Sequence, residues 1–296
     1  MTDLAVTPTV HVAPAHSRVP LWRRLLRSRS GLVGAVLTGI VVAAALAALL
    51  GLTPYDPVSQ RPADRFLPPN ATYPLGTDQF GRDILSRVMA GAGTSLLVAV
   101  TAVAIAAVVG TAAGVAAGYF GSPVSPPILG VANVLFAFPP LLLALALASA
   151  LTRNWFTVAI AIAIVYVPIF IRVARGPVLS LRDADFIRAS RVLGFATPRI
   201  LFRHVLPNIA PIIIVQVTLA LSWAVLTEAS LSFLGLGTPP PTPALGSMIL
   251  DAKQMVASYW WTMLAPGAMV VVFVVGLNLL GDGLRDALDP RAGTDA

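Results

Sequence analysis

Long apolar runs separated by short polar clusters set the architecture of this chain. Gly31 to Leu52 is 22 residues without a charge, enough for one helical crossing of a hydrocarbon layer about 30 Å thick. Val88 to Thr152 carries no charge over 65 residues. As one helix it would measure about 97 Å at about 1.5 Å per residue, so the run must fold back. Gly121-Ser-Pro-Val-Ser-Pro-Pro127 is the turn that its residue types predict. The pattern therefore places spans at 31–52, 94–119, 129–151, 154–171 with a kink near Pro168, 211–231 and 262–281. It predicts an all-α membrane protein with six transmembrane helices.

Between the spans lie a basic N-terminal tail (1–30), a proline-rich segment (53–93) and a C-terminal tail (286–296). The remaining core, 94–285, is interrupted by a basic loop at 176–207. That loop reads as two short helices with a break. Phe186, Ala189 and Leu193 share one helical face, and Gly194 stops the first helix, where a positive φ is free of strain. Thr197-Pro198 is expected to restart the chain as N-cap and first helical residue. Ile200, Leu201 and His204 then lie on one side, and Leu206-Pro207 is expected to close the second helix.

Composition sharpens this picture. Hydrophobic residues make up 57% and charged residues 11%, against about a quarter charged in a soluble domain. Cysteine is absent, which excludes disulfides and thiolate chemistry. The strongly basic balance follows the membrane loops, so it does not call for nucleic acid. With the N-terminus inside, inner segments hold Arg18, Arg23, Arg24, Arg27, Arg29, the seven arginines from Arg172 to Arg203, Arg285 and Arg291. Outer segments hold Arg61, Arg65, Arg82, Arg87, Arg153 and Lys253. Fourteen against six predicts both termini inside.

Four motifs carry a family resemblance. Arg188-Ala189-Ser190, Gly194 and His204-x-Leu206-Pro207 resemble the EAA loop of ABC importer membrane subunits, with Arg188 where that motif has Glu. Tyr73-Pro-Leu-Gly-Thr-Asp-Gln-Phe-Gly-Arg-Asp-Ile-Leu-Ser-Arg87 is similar to a signature of the C-type dipeptide and oligopeptide permeases. In it, Thr77 or Asp78 is a candidate helix cap. Glu228-Ala-Ser-Leu-Ser-Phe-Leu-Gly-Leu-Gly237 resembles a second signature, with Ala244-Leu245-Gly246 where Ser-Trp-Gly is common. The stretch from Gly276 to Arg291 resembles the family's C-terminal sequence.

The resemblance implies the type I importer permease fold and a set of partners. These are a homologous B-type permease, two ABC ATPase subunits, an extracytoplasmic substrate-binding protein and the bilayer. It also implies that Asp185, Arg188, Ala189, Ser190, Gly194, Phe195, Ile200, Leu201, His204, Leu206 and Pro207 couple the chain to the ATPases. The implied cargo is a di- or oligopeptide; nickel complexes, haem and glutathione are carried within the same subfamily.

The residues themselves offer little chemistry. A phosphate loop needs Lys before Ser or Thr, and the sole lysine, Lys253, sits in Asp251-Ala-Lys-Gln-Met. The chain is therefore read as no enzyme and as binding no cofactor, with ATP and Mg²⁺ on the partners. Glu228, the only glutamate, lies at a depth where an acidic group is a functional suspect. Either it secures the end of the fifth helix beside Ser230 and Ser232, or it lines a pathway with Ser232, Gln216 and Trp223. A proton-coupled secondary transporter would use Glu228 but leave the Gly194…Pro207 loop without a purpose.

Overall fold

The computed structural model describes residues 21–288. Most of the expected N-terminal tail, and residues 289–296, lie outside the described residues. Within them the chain forms helices joined by turns: α1 (Leu21–Arg27), α2 (Arg29–Leu49), α3 (Ile84–Phe120), α4 (Ser125–Phe136), α5 (Pro140–Ala150) and α6 (Trp155–Arg182). These are followed by α7 (Asp185–Val192), α8 (Thr197–Ile200), α9 (Leu206–Phe233), α10 (Leu245–Ala252) and α11 (Trp261–Leu288).

Among the described residues, five helical stretches are long and apolar enough to cross a membrane, and a sixth crossing arises if α4 and α5 form one span. The turn falls where its prolines and glycine put it, with α3 ending at Phe120 and Gly121 at φ 65°. The third span is not the continuous 129–151 helix that hydropathy predicts. It bends by 93° between α4 and α5. Pro139 is extended, at ψ 129°, because a residue before proline (here Pro140) is pushed out of the helical region.

The charge-free windows also understate helix length. α3 begins at Ile84 rather than near 94, since Asp83 caps it by accepting hydrogen bonds from the Ser86 backbone N–H at 2.8 Å and hydroxyl at 2.6 Å. The cap is therefore Asp83, not Thr77 or Asp78. α6 runs through Pro168 and Pro177 to Arg182, so the basic loop starts as helix.

The helices pack through small residues, as expected where lipid gives no hydrophobic drive between apolar faces. Gly110, Gly114 and Gly118 form one stripe of α3 pressed onto α6. A Cβ on Gly110 would lie 2.5 Å from the Phe170 Cβ, and one on Gly114 would lie 2.5 Å from the Ile171 carbonyl oxygen. Phe170, Ile162 and Val103 fill the core beside this seam. α2 is held to α11 in the same manner, with Gly34 against the Leu280 backbone.

Residues 51–83 form a rigid elbow at one end of the bundle. Thr77 is buried at its centre, accepting from the Leu67 N–H at 2.8 Å and donating to the Asp64 carbonyl at 2.5 Å. Asp78 receives the Arg82 Nε at 2.6 Å and lies 3.5 Å from the Arg87 Nε. Hydrogen bonding to Asp64 pushes the Tyr73 hydroxyl pKa up. The residues of the Tyr73–Arg87 signature are thus spent on holding the elbow together. Trp260 is exposed, whereas Trp261 packs on Gly76 of the elbow.

The seam makes a direct prediction. Gly114→Leu should lower the thermal unfolding midpoint of the detergent-purified chain, with an overpacking cost of about 1–3 kcal/mol. Gly130→Ala, where an added Cβ meets nothing within 4 Å, should leave the midpoint unchanged. Equal midpoints for both variants would contradict the close approach of α3 and α6.

Candidate functional site

At the end opposite the elbow, α7 and α8 form the helix–turn–helix that the sequence predicts. α7 ends in a paired hydrogen-bond closure: the Phe195 N–H donates to the Ser190 carbonyl at 3.1 Å and the Gly194 N–H to the Arg191 carbonyl at 3.0 Å. This closure needs a left-handed residue after the cap, and Gly194 supplies it at φ 75°. The restart differs in detail. Ala196 occupies the cap position without a side-chain hydrogen bond, and Thr197 and Pro198 are the first helical residues.

Leu206-Pro207 does not close the second helix. α8 passes through a π turn at Leu201–Val205 into α9, giving one stretch from Thr197 to Phe233. Pro207 lacks an N–H, and its ring would crowd the carbonyl four residues back in a regular helix. Widening the preceding turn relieves that crowding and lets the chain continue. The loop therefore connects to a membrane span through helix rather than through a hinge.

The loop is anchored from beneath. Ile187, Ile200 and Val205 are buried against Val115 and Tyr119 of α3 and Ala174 and Val178 of α6, with Phe195, Leu201 and Leu206 packed around them. The Arg191 Nε donates to the Tyr119 hydroxyl at 3.2 Å, and its guanidinium lies 4.9 Å from that ring centroid. Buried Ser190 donates to the Phe186 carbonyl at 2.7 Å. The His204 ring stands 6.3 Å from that of Phe186.

Of the eleven residues marked in the loop, Ile200 and Ser190 face inward. Phe195, Leu201, His204 and Leu206 are half-buried, while Asp185, Arg188, Ala189, Gly194 and Pro207 are exposed. The apolar face that remains open is carried by Phe186 (45% exposed), Val192 (87%), Leu193 (72%) and Phe202 (71%). Sequence periodicity finds Phe186, Ala189 and Leu193 on that face. It misses Val192 and Phe202, whose exposure is fixed only when Ile187 and Val205 choose the buried side.

The pathway residues separate into two groups. Glu228 is fully buried and ties α9 to α3: its Oε2 accepts from the Ser95 hydroxyl at 2.5 Å and its Oε1 from the Ser232 hydroxyl at 2.6 Å. Ser230 instead donates to the Leu226 carbonyl. Gln216 and Trp223 line an open-sided groove of about 520 Å³ between α6, α9 and the α4–α5 bend. Phe136, Tyr166 and Thr227 line it too, and Tyr166 and Thr227 hydroxyls lie 3.1 Å apart. Periodicity does not single out these last residues, although a tyrosine and a threonine within apolar spans are a local signal. Nothing local to Glu228 points to Ser95, 133 residues away.

This geometry makes Glu228 a fastening of the bundle. Glu228→Ala should strand two buried hydroxyls, at about 1–3 kcal/mol each, and lower the thermal midpoint of the purified chain. Because both partners act through one carboxylate, the Glu228→Ala and Ser95→Ala losses should be less than additive in the double variant. A midpoint unchanged by Glu228→Ala would remove the fastening role.

Comparison with known proteins places the architecture in context. Residues 110–294 match the binding-protein-dependent transport system inner membrane component family, and residues 20–69 match the N-terminal TM domain of oligopeptide transport permease C. The chain is 41% identical over 281 residues to the dipeptide transport system permease protein DppC of Alkalihalophilus pseudofirmus, covering 93% of this chain and 92% of the relative. It is 39% identical to the di/tripeptide transport system permease protein DppC of Pseudomonas aeruginosa, covering 91% of each. It is 36% identical to the glutathione transport system permease protein GsiD of Pectobacterium atrosepticum, covering 91% and 90%. With its seam of glycines, its bent span and its helical loop, this multi-pass membrane chain belongs to the binding-protein-dependent transport system inner membrane components, the permease subunits of ABC transporters.

Proposed function

We propose that this chain is the C-type permease of an ATP-driven importer for di- or oligopeptides, and that its loop couples it to separate ATPase subunits. The observation that carries the reading is the open apolar face of Phe186, Val192, Leu193 and Phe202 on a loop whose other side is buried and hydrogen-bonded. An apolar face held out on a rigid support is suited to a partner groove. The helical connection from α8 through the π turn to α9 would convert a push on that face into movement of a span.

Further parts of the reading rest on the same arrangement. The basic loop lies on the cytoplasmic side, with both termini, by the arginine distribution. A homologous permease covers the groove beside Gln216 and Trp223, and the cargo path runs between the two chains. An extracytoplasmic binding protein delivers cargo at the elbow. The peptide assignment rests on relatives named as dipeptide and di/tripeptide permeases. Glutathione, itself a small peptide, falls within the same chemistry as the relative named for it.

Gly194→Val tests the coupling. An added Cβ at Gly194 meets no neighbour within 4 Å, so the cost is backbone strain alone, about 1–2 kcal/mol. Too small to unfold the bundle, it would redirect α8 against α7. The expected outcome is normal insertion, loss of ATPase subunits from pull-downs and loss of peptide uptake in the same membranes. Normal docking with normal uptake would falsify the coupling role.

A further inference from the structure

We propose that α1 and the first turn of α2 form a binding surface for anionic phospholipid headgroups, at the face of the membrane where the α7–α8 loop lies. The placement of α1 comes first. Ser28 stands in extended conformation between the two helices, at φ −77° and ψ 136°, so α1 does not continue the axis of α2. Its hydroxyl donates to the Leu25 carbonyl at 2.9 Å and accepts from the Gly31 N–H at 3.0 Å, which fixes the bend from both sides. The fold-back is tight: a Cβ on Gly31 would overlap the Leu25 carbonyl oxygen. The Leu25 side chain reaches the end of α11, where a Cβ on Gly283 would lie 3.1 Å from the Leu25 Cδ1.

A short helix folded back across the ends of two spans sits where those spans leave the hydrocarbon. Leu25, half-buried, attaches it to the end of α11. Arg24, Arg27 and Leu26 are exposed on α1, and Arg29 is exposed where α2 begins. Beyond Arg29, the exposed Leu32, Val33, Val36 and Ile40 present α2 to lipid. Guanidinium groups at headgroup level beside an apolar helix face match an acidic headgroup with its acyl chains alongside. Among the described residues at the end of α11, Asp282 and Asp286 are acidic and Arg285 is basic, so with Arg24, Arg27 and Arg29 this described surface keeps its positive sign. Near an anionic surface each arginine is worth about fivefold in affinity. Arg24, Arg27 and Arg29 together give on the order of a hundredfold at low salt, weakening as salt screens the charges.

The test uses the full-length chain in nanodiscs containing equal phosphatidylglycerol and phosphatidylcholine, with retained lipids identified by native mass spectrometry across a salt series. Wild type should retain phosphatidylglycerol preferentially at low salt and lose that preference as salt rises. The triple variant Arg24→Gln, Arg27→Gln, Arg29→Gln should retain the two lipids equally. The corresponding triple Lys variant should behave as wild type does. A triple Gln variant with the wild-type preference would overturn the proposal. So would one that keeps the preference while losing a soluble protein partner. Should the Gln variant fail to insert, the wild-type salt series decides alone: a phosphatidylglycerol preference that is absent, or indifferent to salt, would overturn the proposal.

Discussion

The near-contact of α3 and α6 is the constraint on which the rest depends. At Gly110 and Gly114 the α3 backbone meets Phe170 and the Ile171 carbonyl without room for a side chain. Neither helix can rotate about its own axis without opening that seam. Because α6 overruns its apolar window and continues to Arg182, the seam reaches the loop end of the bundle. Val178, which packs on Gly118 at the end of the stripe, and Tyr119 become part of the platform on which Ile187, Ile200 and Val205 rest. The other end of α3 is capped by Asp83 and joined to the elbow. One rigid helix therefore connects the elbow to the loop, with Glu228 fastening α9 to it partway along.

That connection gives the loop its mechanical character. A floppy loop would absorb displacement in its own backbone. Here the exposed face stands on a packed base, the turn is closed by two backbone hydrogen bonds at Gly194, and the exit is helical through the π turn. In the proposed function, a force applied at Leu193 or Phe202 moves α9 relative to α3 and α6. The groove lined by Gln216 and Trp223 lies on that same α9.

Most of this fold is legible in the residues, because span-forming runs, proline-rich turns and a four-residue glycine repeat are local signals. Gly194 likewise declares itself, since few other residues end a helix so cheaply. What is hidden depends on partners distant in sequence or on competition between local rules. The Leu206-Pro207 pair signals a stop, yet packing of Val205 and Ile209 favours continuing, and a π turn satisfies both. Hydropathy is blind to the bend before α5 because Phe138, Pro139 and Pro140 are all uncharged. The Glu228–Ser95 bond and the Arg191–Tyr119 contact join elements far apart in the chain. Hydropathy hides Asp83 as a cap because a charge marks the border of the apolar run and not the start of its helix.

The natural absence of cysteine makes the loop directly measurable by single-cysteine labelling with a membrane-impermeant maleimide. Leu193→Cys and Val192→Cys should react readily in membranes opened on the loop side when the chain is alone, and should become protected when the ATPase subunits are present. Ile187→Cys, on the buried side of the same helix, should stay unreactive in both. Protection absent at Leu193 and Val192 in the assembled complex, or equal reactivity at all three positions, would contradict the claim that this rigidly supported face is where the ATPase grips the permease.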